Sequence, residues 1–114
     1  MHEVGIISAM LKQIERIMEQ ENLTHVEKIV MEVGELSGVV PHYMEECFPA
    51  AVYKTKFADT KLEMITIPGI VRCETCKIEF NGYQHDLCCP NCGSRKQLTP
   101  LSGRELILKE IVGN

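Results

Sequence analysis

The chain has 114 residues, 45% hydrophobic and 25% charged, enough for one compact domain with a small appended module but not for two cores of ordinary size. It has no Trp and only three Phe and three Tyr, which argues against an aromatic nucleic-acid platform, and no apolar run approaches the length of a membrane span. The formal charge of −4 is uneven, with eleven acids against six bases in residues 1–70 and five bases against three acids in residues 71–104, so an acidic body carries a basic knob too weakly charged to bind nucleic acid by counterion release.

From Val4 to Met18, apolar residues fall at Val4, Ile7, Leu11, Ile14 and Met18, with Met10 and Ile17 flanking. This spacing predicts an amphipathic helix that ends near Asn22, a residue tolerant of the left-handed conformation found at helix ends. The stretch from His25 to Val33 alternates, with Ile29, Met31 and Val33 on one face and Lys28 and Glu32 on the other. It reads as a half-buried strand closed by Gly34. Pro41 suits a first helical turn, and Met44, Phe48, Ala51 and Val52 form the inward face of a second helix running to about Lys54. Pro49 removes a backbone donor inside that helix, so a kink or a late start is expected. Lys61–Ile67 and Glu105–Val112 are both rich in Ile, Leu and Val and are expected to pair with each other. The segment between them is then an insertion. The expected organisation is α+β: a small sheet with two helices, residues 1–69 plus 104–114, carrying an inserted four-cysteine zinc-ribbon module at residues 70–103.

The inserted segment holds Cys73-Glu74-Thr75-Cys76, twelve residues, then Cys89-Pro90-Asn91-Cys92-Gly93. Each Cys-x-x-Cys turns two thiolates toward one point, and two of them complete a tetrahedral site. With no export signal at the N-terminus, paired cysteines point to metal in a reducing compartment rather than to disulfides, and the expected location is the cytoplasm. The segment has few apolar residues of its own, whereas structural zinc in small peptides contributes roughly 10–16 kcal/mol to folding, which makes the metal decisive. Iron and thiol-disulfide chemistry are weaker alternatives. The second pair, with its Pro and Gly, resembles half of a rubredoxin site without the aromatic core, and a redox dithiol needs only one pair. Cys88 adjoins a ligand and is placed to exchange with Cys89; Cys47 reads as an inert thiol on the buried side of the second helix; His85 reads as a solvated loop residue that can offer a donor to a second metal.

At the other end, Met1-His2-Glu3 offers a second donor set. A free α-amine, the backbone nitrogen of His2 and the His2 imidazole close adjacent chelate rings around an ion that favours planar nitrogen coordination, nickel(II) or copper(II), and the backbone nitrogen of Glu3 supplies a fourth position. The bulky second residue protects Met1 from removal. Taken alone, His2 is a surface histidine at a helix start.

With these motifs in view, the whole chain resembles the hydrogenase maturation factor HypA and its close relative HybF. The likeness covers the Met-His-Glu start, the apolar first helix, the strand Ile29-Val30-Met31-Glu32-Val33-Gly34 leading to Leu36-Ser37, the Cys-Pro-x-Cys knuckle and the apolar closing strand. The resemblance implies a nickel metallochaperone for nickel-iron hydrogenase, acting with the GTPase HypB on the hydrogenase large-subunit precursor, as a monomer or weak dimer. The family's nickel ligands map onto Met1, His2 and Glu3, and its structural zinc ligands onto Cys73, Cys76, Cys89 and Cys92. Cys88 and Pro49 depart from the family pattern.

No nucleophile and base pair, phosphate loop or catalytic carboxylate pair is supported by motif, so a non-enzyme is expected. The rival readings are a zinc-ribbon nucleic-acid binder, which predicts salt-sensitive binding and indifference to His2, and a redox protein, which predicts metal loss on mild oxidation.

Overall fold

The apolar stripe of the N-terminal segment folds as α1, His2–Glu21. The structure is a computed structural model that describes residues 2–114; Met1 and the side chain of His2 lie outside that description. Ile7, Met10, Leu11, Ile14 and Met18 are buried along α1, while Val4, expected on the same stripe, is 41% exposed in the first turn. The helix stops where the sequence says it should. Asn22 takes φ +56°, and the amide of Leu23 donates to the Met18 carbonyl at 2.9 Å, which satisfies one of the carbonyls that every helix end leaves open.

β1, Val26–Gly34, is more deeply buried than alternation suggested: Val26 and Val30 are covered as fully as Ile29, Met31 and Val33. The reason is its place in the sheet. β2, Lys61–Ile67, and β6, Leu106–Gly113, do not pair with each other as expected; β1 lies between them in the order β2-β1-β6. Neither outer strand has a fully buried residue, so the strand with apolar side chains on both faces takes the position with two neighbours. At the far end of β6, the Asn114 amide donates to His25 carbonyl at 2.9 Å, and the Asn114 carbonyl accepts from Thr24 and His25.

α2, Pro41–Val52, begins with Pro41 in the first turn and buries Met44, Phe48 and Val52. It passes through Pro49 without breaking. Glu45, whose carbonyl loses its donor to that proline, and Pro49 itself are both exposed, so water can take the missing amide's place. The helix ends two residues earlier than expected, and Lys54 turns to φ +61°. α1 and α2 pack against each other, Cys47 is half-buried, and the Thr60 hydroxyl donates to the Val26 carbonyl at 2.7 Å.

The chain divides into two compact units. One contains the chain through Met31, Val40–Ile65 and Ile107–Asn114; the other contains Glu32–Val39 and Thr66–Leu106. The second unit has its own sheet of β3, Ile70–Cys73, β4, Glu79–Asn81, and β5, Leu98–Pro100, in the antiparallel order β4-β3-β5. Val71 faces Phe80 on one side and Pro100 on the other. A close backbone approach ties Glu32–Val39 into this unit. A Cβ on Gly34 would lie 2.1 Å from the Gly103 carbonyl oxygen, and Gly103 itself has φ +76°, so both positions require glycine. Alongside, the Glu35 carboxylate accepts from the Gly69 amide at 2.9 Å and from Asn81 Nδ2 at 2.8 Å. The Gly69 amide and then the Asn81 side chain hold its pKa below the ordinary carboxylate value.

Candidate metal centre

β3 ends on Cys73, and the chain turns at once through Glu74 and Thr75 to Cys76. The turn is closed by the Lys77 amide donating to the Cys73 carbonyl at 2.7 Å and by the Cys73 amide donating to the Ile78 carbonyl at 2.9 Å. The second pair repeats the pattern step for step. The Gly93 amide donates to the Cys89 carbonyl at 2.9 Å, and the Cys89 amide donates to the Ser94 carbonyl at 2.9 Å. The residue after each second cysteine has a left-handed backbone, Lys77 at φ +67° and Gly93 at φ +76°. Two identical local turns thus present their sulfurs to one another.

The four Sγ atoms all lie within 4.8 Å of one another. Cys73 and Cys92 are 3.6 Å apart, Cys76 and Cys89 3.4 Å, and none of the six cysteines forms a disulfide. Tetrahedral coordination with metal–sulfur bonds of about 2.3 Å puts ligand sulfurs roughly 3.8 Å apart, so the four fit a single divalent ion with little movement. Cys73 and Cys89 are buried with Val71 and Phe80, and Leu36, Ile78 and Leu98 pack around them; Cys76 is half-buried and Cys92 exposed.

Backbone amides aim at the sulfurs, which favours thiolate. The Cys76 amide, opposed by desolvation and helped by the Thr75 amide, holds the Cys73 thiol below its usual value. The Asn91 side chain and then the Ile78 amide bring Cys76 down to about 6. At Cys92 the Ser94 amide pulls downward, yet desolvation and the neighbouring thiols of Cys73, Cys89 and Cys76 outweigh it and push the group up to about 12. Four sulfurs this close cannot all ionise without a cation among them. The donor set therefore calls for a metal that replaces the protons.

Residues the spacing did not single out brace the first turn. Glu74 accepts from Arg72 Nε at 3.1 Å, from Lys77 Nζ at 3.1 Å and from the Thr99 hydroxyl on β5. Thr99, then Lys77 and Arg72, bring its carboxyl down to about 2. A carboxylate between two basic residues at i−2 and i+3 was visible in the chain, but its partner on β5 was not. Cys88, whose spacing to Cys92 fits a knuckle less well than that of Cys89, stands outside the four-sulfur group: its thiol lies 3.5 Å from the Gly93 carbonyl, to which it donates. His85 meets the edge of Phe80, ring centroids 5.8 Å apart, and is not among the clustered donors of the described residues. Of the N-terminal set, Glu3 is half-buried in the first turn of α1, whereas Met1 and the His2 side chain fall outside the described residues.

Two matched cysteine turns on a three-stranded antiparallel sheet, in a chain that also has two helices and a second sheet, define an α+β protein with a zinc-ribbon-like site. Residues 1–113 match the family model described as hydrogenase/urease nickel incorporation, metallochaperone, hypA. The chain is 35% identical over 111 residues to a hydrogenase maturation factor HypA of Rhodopseudomonas palustris, strain BisA53, covering 97% of each protein. It is 37% identical over 108 residues to that of Streptomyces avermitilis, covering 93% of this chain and 82% of the relative. In fold it is similar to the solution structure of the nickel metallochaperone HypA from Helicobacter pylori, with TM-score 0.64 and 18% identity over 96% of this chain and 94% of that one. A second solution structure of a HypA protein gives TM-score 0.68 at 21% identity, covering 100% and 97%. The chain belongs to the HypA family of metallochaperones, proteins of nickel incorporation in hydrogenase maturation.

Proposed function

We propose that this chain takes up nickel(II) at its N-terminus and delivers it to a nickel-iron hydrogenase large-subunit precursor, with zinc held permanently by Cys73, Cys76, Cys89 and Cys92. The match to the nickel-incorporation family over residues 1–113 carries the delivery role, and the convergence of four sulfurs within 4.8 Å supports the resident zinc. Zinc supplies folding free energy and no reaction step. The chain's own residues pack Val71 and Phe80 with Cys73 and Cys89 and direct amides at the sulfurs of Cys73 and Cys76.

Nickel is cargo. Its donors are the α-amine of Met1, the amide nitrogen and imidazole of His2, and the amide nitrogen of Glu3. Because α1 starts at His2, these amides belong to the first helical turn, where N–H groups have no intrahelical acceptor and the helix dipole favours loss of a proton. A donor set of this kind releases its ion by stepwise ligand exchange to a recipient, and no covalent substrate bond is broken. Copper outcompetes nickel at most nitrogen sites, so selectivity rests on metal supply and on partner recognition, with a HypB-type GTPase as nickel-side partner in the cytoplasm. A hydrogenase is the recipient favoured by the curated relatives' names, although the family description also includes urease.

The test is a nickel titration of untagged protein, of His2→Ala and of protein with an N-terminal extension, alongside total-metal analysis. One zinc in all three, with planar nickel uptake only in the unaltered protein, is the expected result. Equal nickel uptake by all three refutes the N-terminal donor set.

A further inference from the structure

The second compact unit has a groove of about 420 Å³ that the metal chemistry does not use. It is lined by Leu36, Leu87 and Leu98 over the buried Val71, together with two basic residues, Arg95 and Arg104, and no acidic residue lines it. All of these residues belong to one unit. Leu87 is 46% exposed and the Arg95 side chain 61%, so an apolar surface and a cation are both open to solvent here.

We propose that this groove is a docking site for an extended segment of a partner protein in which a large apolar side chain is flanked by carboxylates. Charge complementarity selects that occupant. The segment 71–104 is the positive part of a chain whose formal charge is −4, and the two basic residues of the groove share its lining with three leucines, so an apolar residue enters while neighbouring carboxylates meet Arg95 and Arg104. Arg95 already shows this chemistry within the chain: its Nη1 donates to the Asp86 carbonyl at 2.9 Å, and its Nη2 stands 3.8 Å from the almost fully exposed Asp86 carboxylate. That distance leaves the guanidinium open to a better-placed acid. The wall beside it is a strained turn, since Asp86 and Leu87 both have positive φ, +52° and +53°. Leu87 is held there against Gly82 and Val71: a Cβ on Gly82 would lie 2.9 Å from Leu87 Cδ2 and 3.2 Å from Val71 Cγ1. Such backbone conformations persist only where surrounding contacts impose them. A polyanion alone finds two charges here, which is insufficient for counterion-release binding.

The experiment uses the zinc-loaded full chain and three fluorescein-labelled probes: acetylated Glu-Leu-Glu-Leu-Glu, Lys-Leu-Lys-Leu-Lys and Glu-Ser-Glu-Ser-Glu peptides. Anisotropy is expected to show binding of the first alone, with amide shifts in nitrogen-15 NMR centred on Leu36, Leu87, Gln97 and Leu98. The double variant Arg95→Gln, Arg104→Gln is expected to lose about tenfold in affinity, the effect of two exposed ion pairs, and Leu87→Ala a further fraction, both keeping one zinc per chain. Equal binding of the lysine or serine peptide, shifts confined to the other unit, unchanged affinity in the arginine variant, or no binding of the first peptide at millimolar concentration overturns the proposal. A concentration-dependent dimer that the peptide fails to disrupt, formed through this groove, also overturns it by assigning the face to a second copy.

Discussion

Gly93 and Lys77 occupy equivalent places in the two cysteine turns, both with left-handed backbone, φ +76° and +67°, and this equivalence makes the pair a sharp test of the site. An alanine Cβ at Gly93 would meet nothing within 4 Å, so Gly93→Ala costs the conformational penalty of an L-residue in that region, about 1–2 kcal/mol, less about half of it for the reduced freedom of alanine in the unfolded chain, a net cost of about 0.5–1 kcal/mol. The turn and the metal form together, so this net cost appears as weaker metal binding by a factor of roughly 2–5. Lys77→Gly recovers a similar penalty. It also loses about 0.5–1 kcal/mol to the greater freedom of glycine in the unfolded chain, and it loses an exposed pair with Glu74, Nζ to Oε1 at 3.1 Å, which solvent screening makes a minor loss. The expected net effect is within about fivefold of the parent in either direction. Competition against a chromophoric zinc chelator at pH 7 reads both. If Gly93→Ala holds zinc as tightly as the parent, or both variants weaken alike, the claim that two matched turns build the site is wrong.

Cys88→Ser should keep one zinc per chain with under about twofold change in affinity, whereas Cys73→Ser should fail to hold zinc stoichiometrically; total-metal analysis after gel filtration decides, because Cys88 bonds to the Gly93 carbonyl and lies outside the sulfur group. Glu74, with its carboxyl lowered from 4.5 to about 2, stabilises the fold above its unfolded pKa and loses that effect as pH falls through the folded one. The gap in urea midpoint between parent and Glu74→Gln should therefore be complete at pH 7 and at pH 5.5 and narrow only below about 4.5; a gap already closed at pH 5.5 contradicts the bracing role. Gly34→Ala, whose Cβ would sit 2.1 Å from the Gly103 carbonyl oxygen, forces the backbone apart and should cost about 3 kcal/mol or more in thermal unfolding. Nickel uptake at the N-terminus competes with protons on an amine whose pKa is about 7.7–8.0, so the affinity measured by titration should fall as pH drops from 8 to 6.

Much of the helical structure was legible because its determinants are local. The buried set of α1, its end at Asn22 and the start of α2 at Pro41 follow from side-chain period and backbone preference within a few residues. Pro49 was harder: one missing amide does not break a helix when the residue with the orphaned carbonyl, Glu45, is exposed and Phe48 and Val52 are buried. Val4 shows the reverse, an apolar residue in the expected phase that remains 41% exposed.

Spacing alone determined that Cys73 pairs with Cys76 and Cys89 with Cys92, since six consecutive residues, 73–78 and 89–94, contain each turn and its two closing hydrogen bonds. Tertiary structure decided what those turns meet and what surrounds them: that Cys88 points elsewhere, that Thr99 on β5 completes the grip on Glu74, and that Leu36 and Arg104, 68 positions apart, line one groove. It also decided the sheet order, putting β1 between two strands that composition alone would have joined. Strand pairing is a competition among distant segments for the same edge, and burial on both faces, which no window of sequence contains, settles it.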